Sequence, residues 1–197
     1  MDRSDAQLLE AAAAGDAQSY ALFFRRHVDS VTRYAMRRCN GPEDVADLVG
    51  ECFLVALQAA SRYRPETDTA LPWLFGIARR LVARQRRRTA SRRRLLAKTS
   101  NVFPRFSESE ADAVARAIDA SRQAPALERA LARLSSSERE VLLLVAFDGV
   151  SPSEAAIALG ITPNAARLRL SRARKTVKDA LAVDPSLPLD PEATYAI

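Results

Sequence analysis

Apolar positions along this chain recur at helical spacings almost throughout, and polar breaks separate them cleanly. Ser4 to Ala14 reads as a short helix. Asp16 is placed to cap the next one, in which Tyr20, Phe24, Val28, Val31 and Ala35 keep a helical period as far as Arg38. Gly41 and Pro42 break the chain, and proline suits a first helical position. Glu43 and Asp44 then complement the positive end of the helix dipole. Val45, Leu48, Val49, Cys52, Phe53 and Ala56 follow at steps of three, one, three, one and three, a strongly amphipathic pattern. Arg64 to Thr69 is a polar loop. A helix is predicted from near Ala70, with Pro72 in its first turn, Leu74, Ile77, Ala78, Leu81 and Val82 on its buried face, and Trp73 beside that face.

Beyond Asn101 the periodicity weakens, and Ser and Glu residues predict a flexible linker with a helical turn or two around Asp112 to Ala120. Leu127, Leu131 and Leu134 line a further helix. Ser135 and Glu138 form a capping box that opens the helix carrying Val141, Leu142 and Val145. Asp148 and Gly149 turn the chain. Past Ala182, Pro185, Pro188 and Pro191 argue for an irregular tail.

The run from Ser151 to Lys175 holds two helix-start signals separated by one tight break. Ser151 caps the first helix, Pro152 suits its opening position, and Glu154 completes a capping box. Gly160 ends that helix in a left-handed conformation. Thr162 caps a second helix, followed by Pro163. Ala166, Leu170, Ala173, Val177 and Leu181 make its apolar stripe. The opposite face carries Asn164, Ala165, Leu168, Arg172 and Lys175, flanked by Arg169 and Ser171, with Arg167 and Arg174 nearer the buried edge. A short helix, a glycine turn and a longer basic helix make a helix-turn-helix, whose second helix fits the DNA major groove. Asparagine and arginine pair bidentately with base edges there, and leucine meets a thymine methyl. The plainer alternative is an amphipathic helix with a solvated basic face.

The class is therefore all-α, and no alternating run rich in Val, Ile and Thr predicts a sheet. The 197 residues suffice for two small domains, and 48% are apolar. Charge sharpens the picture. The net of +6 conceals eleven Lys or Arg residues and no acid between Thr69 and Ser107, leaving 19 bases against 24 acids elsewhere. One intensely basic segment in a mildly acidic chain points to a polyanion met at a defined place. Cys39 and Cys52 lack metal-ligand spacing and read as reduced, partly buried thiols, with a disulfide between them as the alternative. The longest apolar run, Val141 to Phe147, is too short to span a bilayer, and the acidic N-terminus does not resemble a signal peptide. The expected compartment is the cytoplasm, at the nucleoid. His27 reads as a satisfied helical histidine rather than a catalytic one. With no phosphate-binding glycine loop or zinc signature either, an enzyme acting on nucleic acid is not expected, nor any cofactor or metal.

In this order the segments resemble the sigma-70 superfamily, specifically its small two-domain extracytoplasmic-function (ECF) sigma factors. Asp47 to Leu54 (DLVGECFL) is similar to the family's region 2.2, and Trp73 to Arg80 (WLFGIARR) to the start of its region 2.3–2.4 helix. Leu134 to Leu144 (LSSSEREVLLL), the helix-turn-helix and Leu170 to Arg174 (LSRAR) are similar to region 4. The resemblance covers most of residues 5 to 182. It implies a region 2 domain over 1–97, a linker over 98–124, a region 4 domain over 125–182 and a tail of unassigned role over 183–197.

It also implies a division of labour. Asp44, Asp47 and Glu51 share one helix face and would dock on the coiled-coil clamp of core RNA polymerase. Arg64, Thr67, Trp73, Arg79, Arg80, Arg84, Arg87 and Arg88 would meet the −10 promoter element, where a cationic track must hold unstacked strand. The loop Arg64 to Thr69 would form the wall of a pocket for a flipped base. Asn164, Ala165, Arg167, Leu168, Arg169 and Arg172 would read duplex DNA at the −35 element. Trp73 and Phe75 are expected to pack in the core more than to stack on bases. The expected partners are core polymerase and promoter DNA, duplex at −35 and single-stranded at −10, with an anti-sigma protein as a further candidate and no membrane insertion. Gly50, Arg80 and Leu168 depart from the family's frequent glutamine, asparagine and serine. The runner-up reading is a free-standing regulator that binds duplex DNA without polymerase, for which an acidic face on the 42–58 helix would be needless.

Overall fold

The computed structural model describes residues 3–99 and 124–182, with side chains over 3–88 and 127–182. Residues 100–123 of the expected linker, the side chains of Arg92, Arg93 and Arg94, and the 183–197 tail lie outside the described residues. The described elements are helical, and the chain divides into two compact units, Met1–Ser109 and Glu110–Ile197.

The N-terminal unit comprises α1 (Asp5–Ala13), α2 (Ala17–Met36), α3 (Pro42–Ala59), a 3-10 turn (Ala60–Arg62) and α4 (Leu71–Thr99). Each start has a local cause. Ser4 accepts from the Gln7 N–H while the Gln7 side chain accepts from the Ser4 N–H, a reciprocal cap. Asp16 accepts from the N–H groups of Gln18 and Ser19 at 3.0 and 3.2 Å. Pro42 opens α3 at its first position. The helices pack α1 on α2, α2 on α3, and α4 against both α2 and α3. The face predicted for α3 holds at Leu48, Cys52, Phe53 and Ala56, which are buried. So does that of α4 at Leu74, Ile77, Ala78, Leu81 and Val82, which Phe75 and Pro72 join. Fully burying each such leucine or phenylalanine contributes about 1.5–3 kcal/mol.

The buried face of α2 differs from the sequence expectation. Phe23, His27, Val31, Tyr34 and Ala35 face inward, whereas Phe24 is exposed and Tyr20 and Val28 are half-buried. Two overlapping apolar stripes compete on this helix. The one interrupted by the polar His27 wins because His27 has a buried partner in Asp5, at 2.8 Å. Phe23 then centres an aromatic cluster, 4.9 Å from His27 and 6.4 Å from Phe53 between ring centroids. Tyr34 stacks on Phe75 at 5.0 Å, with the Arg38 guanidinium 3.6 Å from the Tyr34 ring centroid.

The C-terminal unit comprises α5 (Ala124–Ala132), α6 (Ser136–Ala146), α7 (Pro152–Leu159) and α8 (Pro163–Ala182). Helices α5, α6 and α7 all pack on α8. Its core is small and aliphatic: Leu131, Leu134, Val141 to Leu144, Ala155, Ala156, Leu159, Ala166, Leu170 and Ala173. The Arg139 side chain donates to the carbonyls of Leu131 and Leu134, satisfying the end of α5.

Candidate nucleic-acid interface

The helix-turn-helix forms from the residues its spacing predicts. Ser151 accepts from the Glu154 N–H at 3.2 Å, and Glu154 accepts from the Ser151 N–H at 2.7 Å. Gly160 closes α7 with φ +65° and ψ +40°, in the left-handed region where a side chain is strained. Thr162 accepts from the Ala165 N–H at 3.2 Å and so opens α8. With Ala166, Leu170 and Ala173 turned inward, the outward side of α8 carries exposed Asn164, Arg167, Leu168 and Arg172 and half-buried Ala165 and Arg169. Leu168 is 50% exposed, an apolar side chain left in water between cations. Arg174 also lies exposed rather than at a buried edge. Ser135 and Glu138 repeat the reciprocal cap on α6. The Glu138 carboxyl is held below its usual range first by hydrogen bonds to Ser135, with the charges of Arg172 and Arg169 adding to them. An acid at the end of α6 therefore feels the basic face of α8.

In the N-terminal unit, Arg80, Arg84 and Arg87 recur at four and three along α4, one cationic stripe, with Arg88 exposed beside it and Arg79 half-buried. The acidic face predicted on α3 lies alongside. Glu51 forms an ion pair with Arg84, and Asp44 accepts from the Gln85 side chain at 2.9 Å. Asp47 is exposed on the same face. The family resemblance implies different partners for Glu51 and Arg84, whereas the structure brings the two side chains together. Both are over 40% exposed, so the pair contributes at most about 1 kcal/mol. Their joining organises the surface more than it stabilises the fold.

The loop before α4 is built with internal bonds. Arg64 donates to the Tyr63 carbonyl at 3.0 Å, and Thr67 Oγ1 donates to the Thr69 carbonyl at 2.7 Å. Trp73 is half-buried, its ring 4.9 Å from that of Tyr63, while Phe75 is fully enclosed. The packing expected of both aromatics therefore holds for Phe75 and only in part for Trp73.

Sequence reasoning missed Asp5. It lies on α1, is 3% exposed, and accepts hydrogen bonds from Arg26 at 2.7 Å, His27 at 2.8 Å, the Ala70 N–H at 2.7 Å and Thr69 Oγ1 at 3.3 Å. Burial alone would raise its pKa. The bonds from His27, Ala70 and Arg26 outweigh that and hold the carboxyl well below the ordinary range. The nearest signal in the chain was His27, an imidazole on an apolar face in need of a partner.

The thiols of Cys39 and Cys52 are free and buried, and burial pushes them up to about 11 and about 12. Neither is a thiolate at neutral pH. Among the described residues there is no group of three or more His, Cys, Asp or Glu able to hold a metal ion. Nor is any described helix long and apolar enough to cross a membrane.

A helix-turn-helix with a basic outward face on one unit and an acidic face beside a cationic stripe on the other define a class: two-unit helical proteins with surfaces suited to a polyanion. Sequence comparison gives the family. Sigma-70 region 2 matches residues 23–93, and sigma-70 region 4 matches residues 125–177. The RNA polymerase sigma factor NccH of Alcaligenes xylosoxydans xylosoxydans is 31% identical over 172 residues, which is 86% of this chain and 90% of that protein. The ECF RNA polymerase sigma factor SigM of Mycobacterium tuberculosis is 30% identical over 173 residues, covering 88% of this chain and 82% of that protein. Among solved structures, CnrH in complex with the cytosolic domain of CnrY superposes with a TM-score of 0.64 at 25% identity, over 92% of this chain and 99% of that one.

The chain belongs to the sigma-70 family and is an RNA polymerase sigma factor of the ECF type, a transcription initiation factor whose partners are core RNA polymerase and promoter DNA. The alternative of a regulator that works without polymerase is not favoured.

Proposed function

We propose that the two units divide promoter recognition residue by residue. In the N-terminal unit, bounded at about residue 97, Asp44, Asp47 and Glu51 meet a basic surface of core polymerase. Arg79, Arg80, Arg84, Arg87 and Arg88 carry the phosphates of the melted −10 strand, and Arg64, Thr67 and Trp73 line the place where an unstacked base is received. In the C-terminal unit, from about residue 125 to 182, Asn164, Arg167, Arg169 and Arg172 read or position the −35 duplex, and Leu168 with Ala165 offers an apolar contact for thymine methyl groups. The protein contributes binding and strand capture; the chemistry of RNA synthesis belongs to polymerase. It works in the cytoplasm at the nucleoid, where both partners are. We further infer that this factor binds an anti-sigma protein, a reading in keeping with the similar CnrH being found in complex with another protein, the cytosolic domain of CnrY.

The observation that carries this reading is the exposed basic face of α8, formed around Asn164 and Leu168 on a helix whose caps and buried stripe leave that side outward. The test is reconstitution with core polymerase on genomic fragments, with charge reversal at Asp47. Site-specific initiation that depends on the factor, and that collapses in Asp47→Lys while the fold persists, is the expected result. Tight, site-specific DNA binding by the lone chain, unaffected by Asp47→Lys and indifferent to polymerase, would refute it.

A further inference from the structure

Asp5 has more partners than helix capping requires. Helix α4 already has a local cap, because Thr69 Oγ1 accepts from the Leu71 N–H at 3.2 Å. The Asp5 carboxylate, from a different helix and 64 residues away in sequence, accepts a hydrogen bond from that same hydroxyl and another from the Ala70 N–H. Burying a carboxylate costs several kcal/mol, and an ion pair seldom outperforms apolar packing in stability. What Asp5 adds is geometry. It fixes the Thr69 hydroxyl and the Ala70 amide together, and the Thr69 carbonyl in turn accepts from Thr67 Oγ1 at 2.7 Å. Arg26 and His27 hold the carboxylate from α2, so the relay starts from an anchored point. At the other end of the loop, the contact between Tyr63 and Trp73 fixes the entry.

We propose that Asp5 is a positioning residue for promoter opening: through Thr69 and Ala70 it sets the loop Arg64 to Thr69 in the shape that receives an unstacked base of the −10 strand. This rests on the reading of that loop given above. Asp5 itself touches no DNA. Its action passes along the series Asp5, Thr69, Thr67, and a break at either of the first two links leaves the pocket wall free to rotate.

The test uses holoenzyme assembled from full-length factor and core polymerase on a promoter fragment it initiates from. The variants are Asp5→Asn, Thr69→Val and Thr69→Ser. Thr69→Val keeps the shape of the side chain and removes the hydroxyl, so it remains informative even where Asp5→Asn fails to fold. Base capture is followed by 2-aminopurine fluorescence in the −10 strand, core binding by competition, and each rate is repeated on templates carrying one abasic site at successive −10 positions. Expected are unchanged core binding, base capture slowed about threefold to tenfold, the range of one net hydrogen bond, and restoration by Thr69→Ser. The deficit should vanish on the template whose captured base is missing. A deficit that persists equally on every abasic template, or that tracks weaker core binding, overturns the positioning role in favour of general fold support. Variants as fast as the parent overturn it as well. A parent holoenzyme indifferent to every abasic site overturns the base-capture reading of the loop and the proposal with it, an outcome distinct from the others.

Discussion

Replacing Gly50 with alanine is expected to stabilise the N-terminal unit by about 1 kcal/mol, the difference between glycine and alanine in a helix interior. Gly50 lies well inside α3, Pro42–Ala59, and is exposed. A Cβ added there meets no atom within 4 Å, and the backbone is not left-handed. The gain therefore comes from restricting the unfolded chain, with no packing change to offset it. In a unit of this size it amounts to roughly 4–8 °C in melting temperature. The single tryptophan, Trp73, lies in the same unit and reports its unfolding. In urea the Trp73 midpoint should rise with the slope unchanged. Gly160 is the control of opposite sign. It too has open space around an added Cβ, but its φ is +65°, so alanine there should destabilise the C-terminal unit by about 1–2 kcal/mol and leave the Trp73 transition untouched. A Gly50→Ala protein that is no more stable than the parent, or a Gly160→Ala protein that gains stability, would refute the reasoning.

Three further outcomes follow from the charges. The folded-state pKa of Asp5 is lowered from 3.8, so its contribution is complete above that value and is lost as pH falls through the folded value; Asp5→Asn should lower the stability read from the Trp73 urea transition at neutral pH by about 3–5 kcal/mol, as for a broken buried pair, and flatten the acid limb of the stability profile below about pH 5. A double-mutant cycle on Glu51→Gln and Arg84→Gln should give a coupling of at most about 1 kcal/mol that shrinks with added salt; a larger, salt-insensitive value would contradict the exposure of the pair. Arg172→Ala in the holoenzyme should weaken promoter binding and reduce the slope of log affinity against log salt by about 1 where the side chain meets phosphate, with footprinting at several ionic strengths as the measurement.

Caps and breaks were legible in the sequence because their chemistry is local. Ser135 with Glu138, Ser151 with Glu154, Thr162, Gly160 and Pro42 each act within four residues, and each sits where its spacing predicts. The buried stripe of α8 and the acidic and basic faces of α3 and α4 follow from the helical period for the same reason. What periodicity could not supply was the choice between two stripes on α2, because the deciding residue, His27, is polar and its partner lies 22 positions away. The Asp5 hub and the meeting of Glu51 with Arg84, 33 positions apart, are likewise tertiary facts, settled by how α1 and α3 lie against their neighbours. The family resemblance assigned roles to Glu51 and Arg84 separately; only the packed helices show that the two share a bond.

That shared bond has a genetic consequence. On the proposed division of surfaces, reversing the charge at Glu51 or at Arg84 alone would unpair its partner on the neighbouring helix, so one allele would disturb the proposed assembly surface and the proposed strand-binding surface at once. Swapping the two residues together keeps the pair and exchanges its poles, so the reciprocal exchange separates the loss of the bond itself from the change of charge on each face.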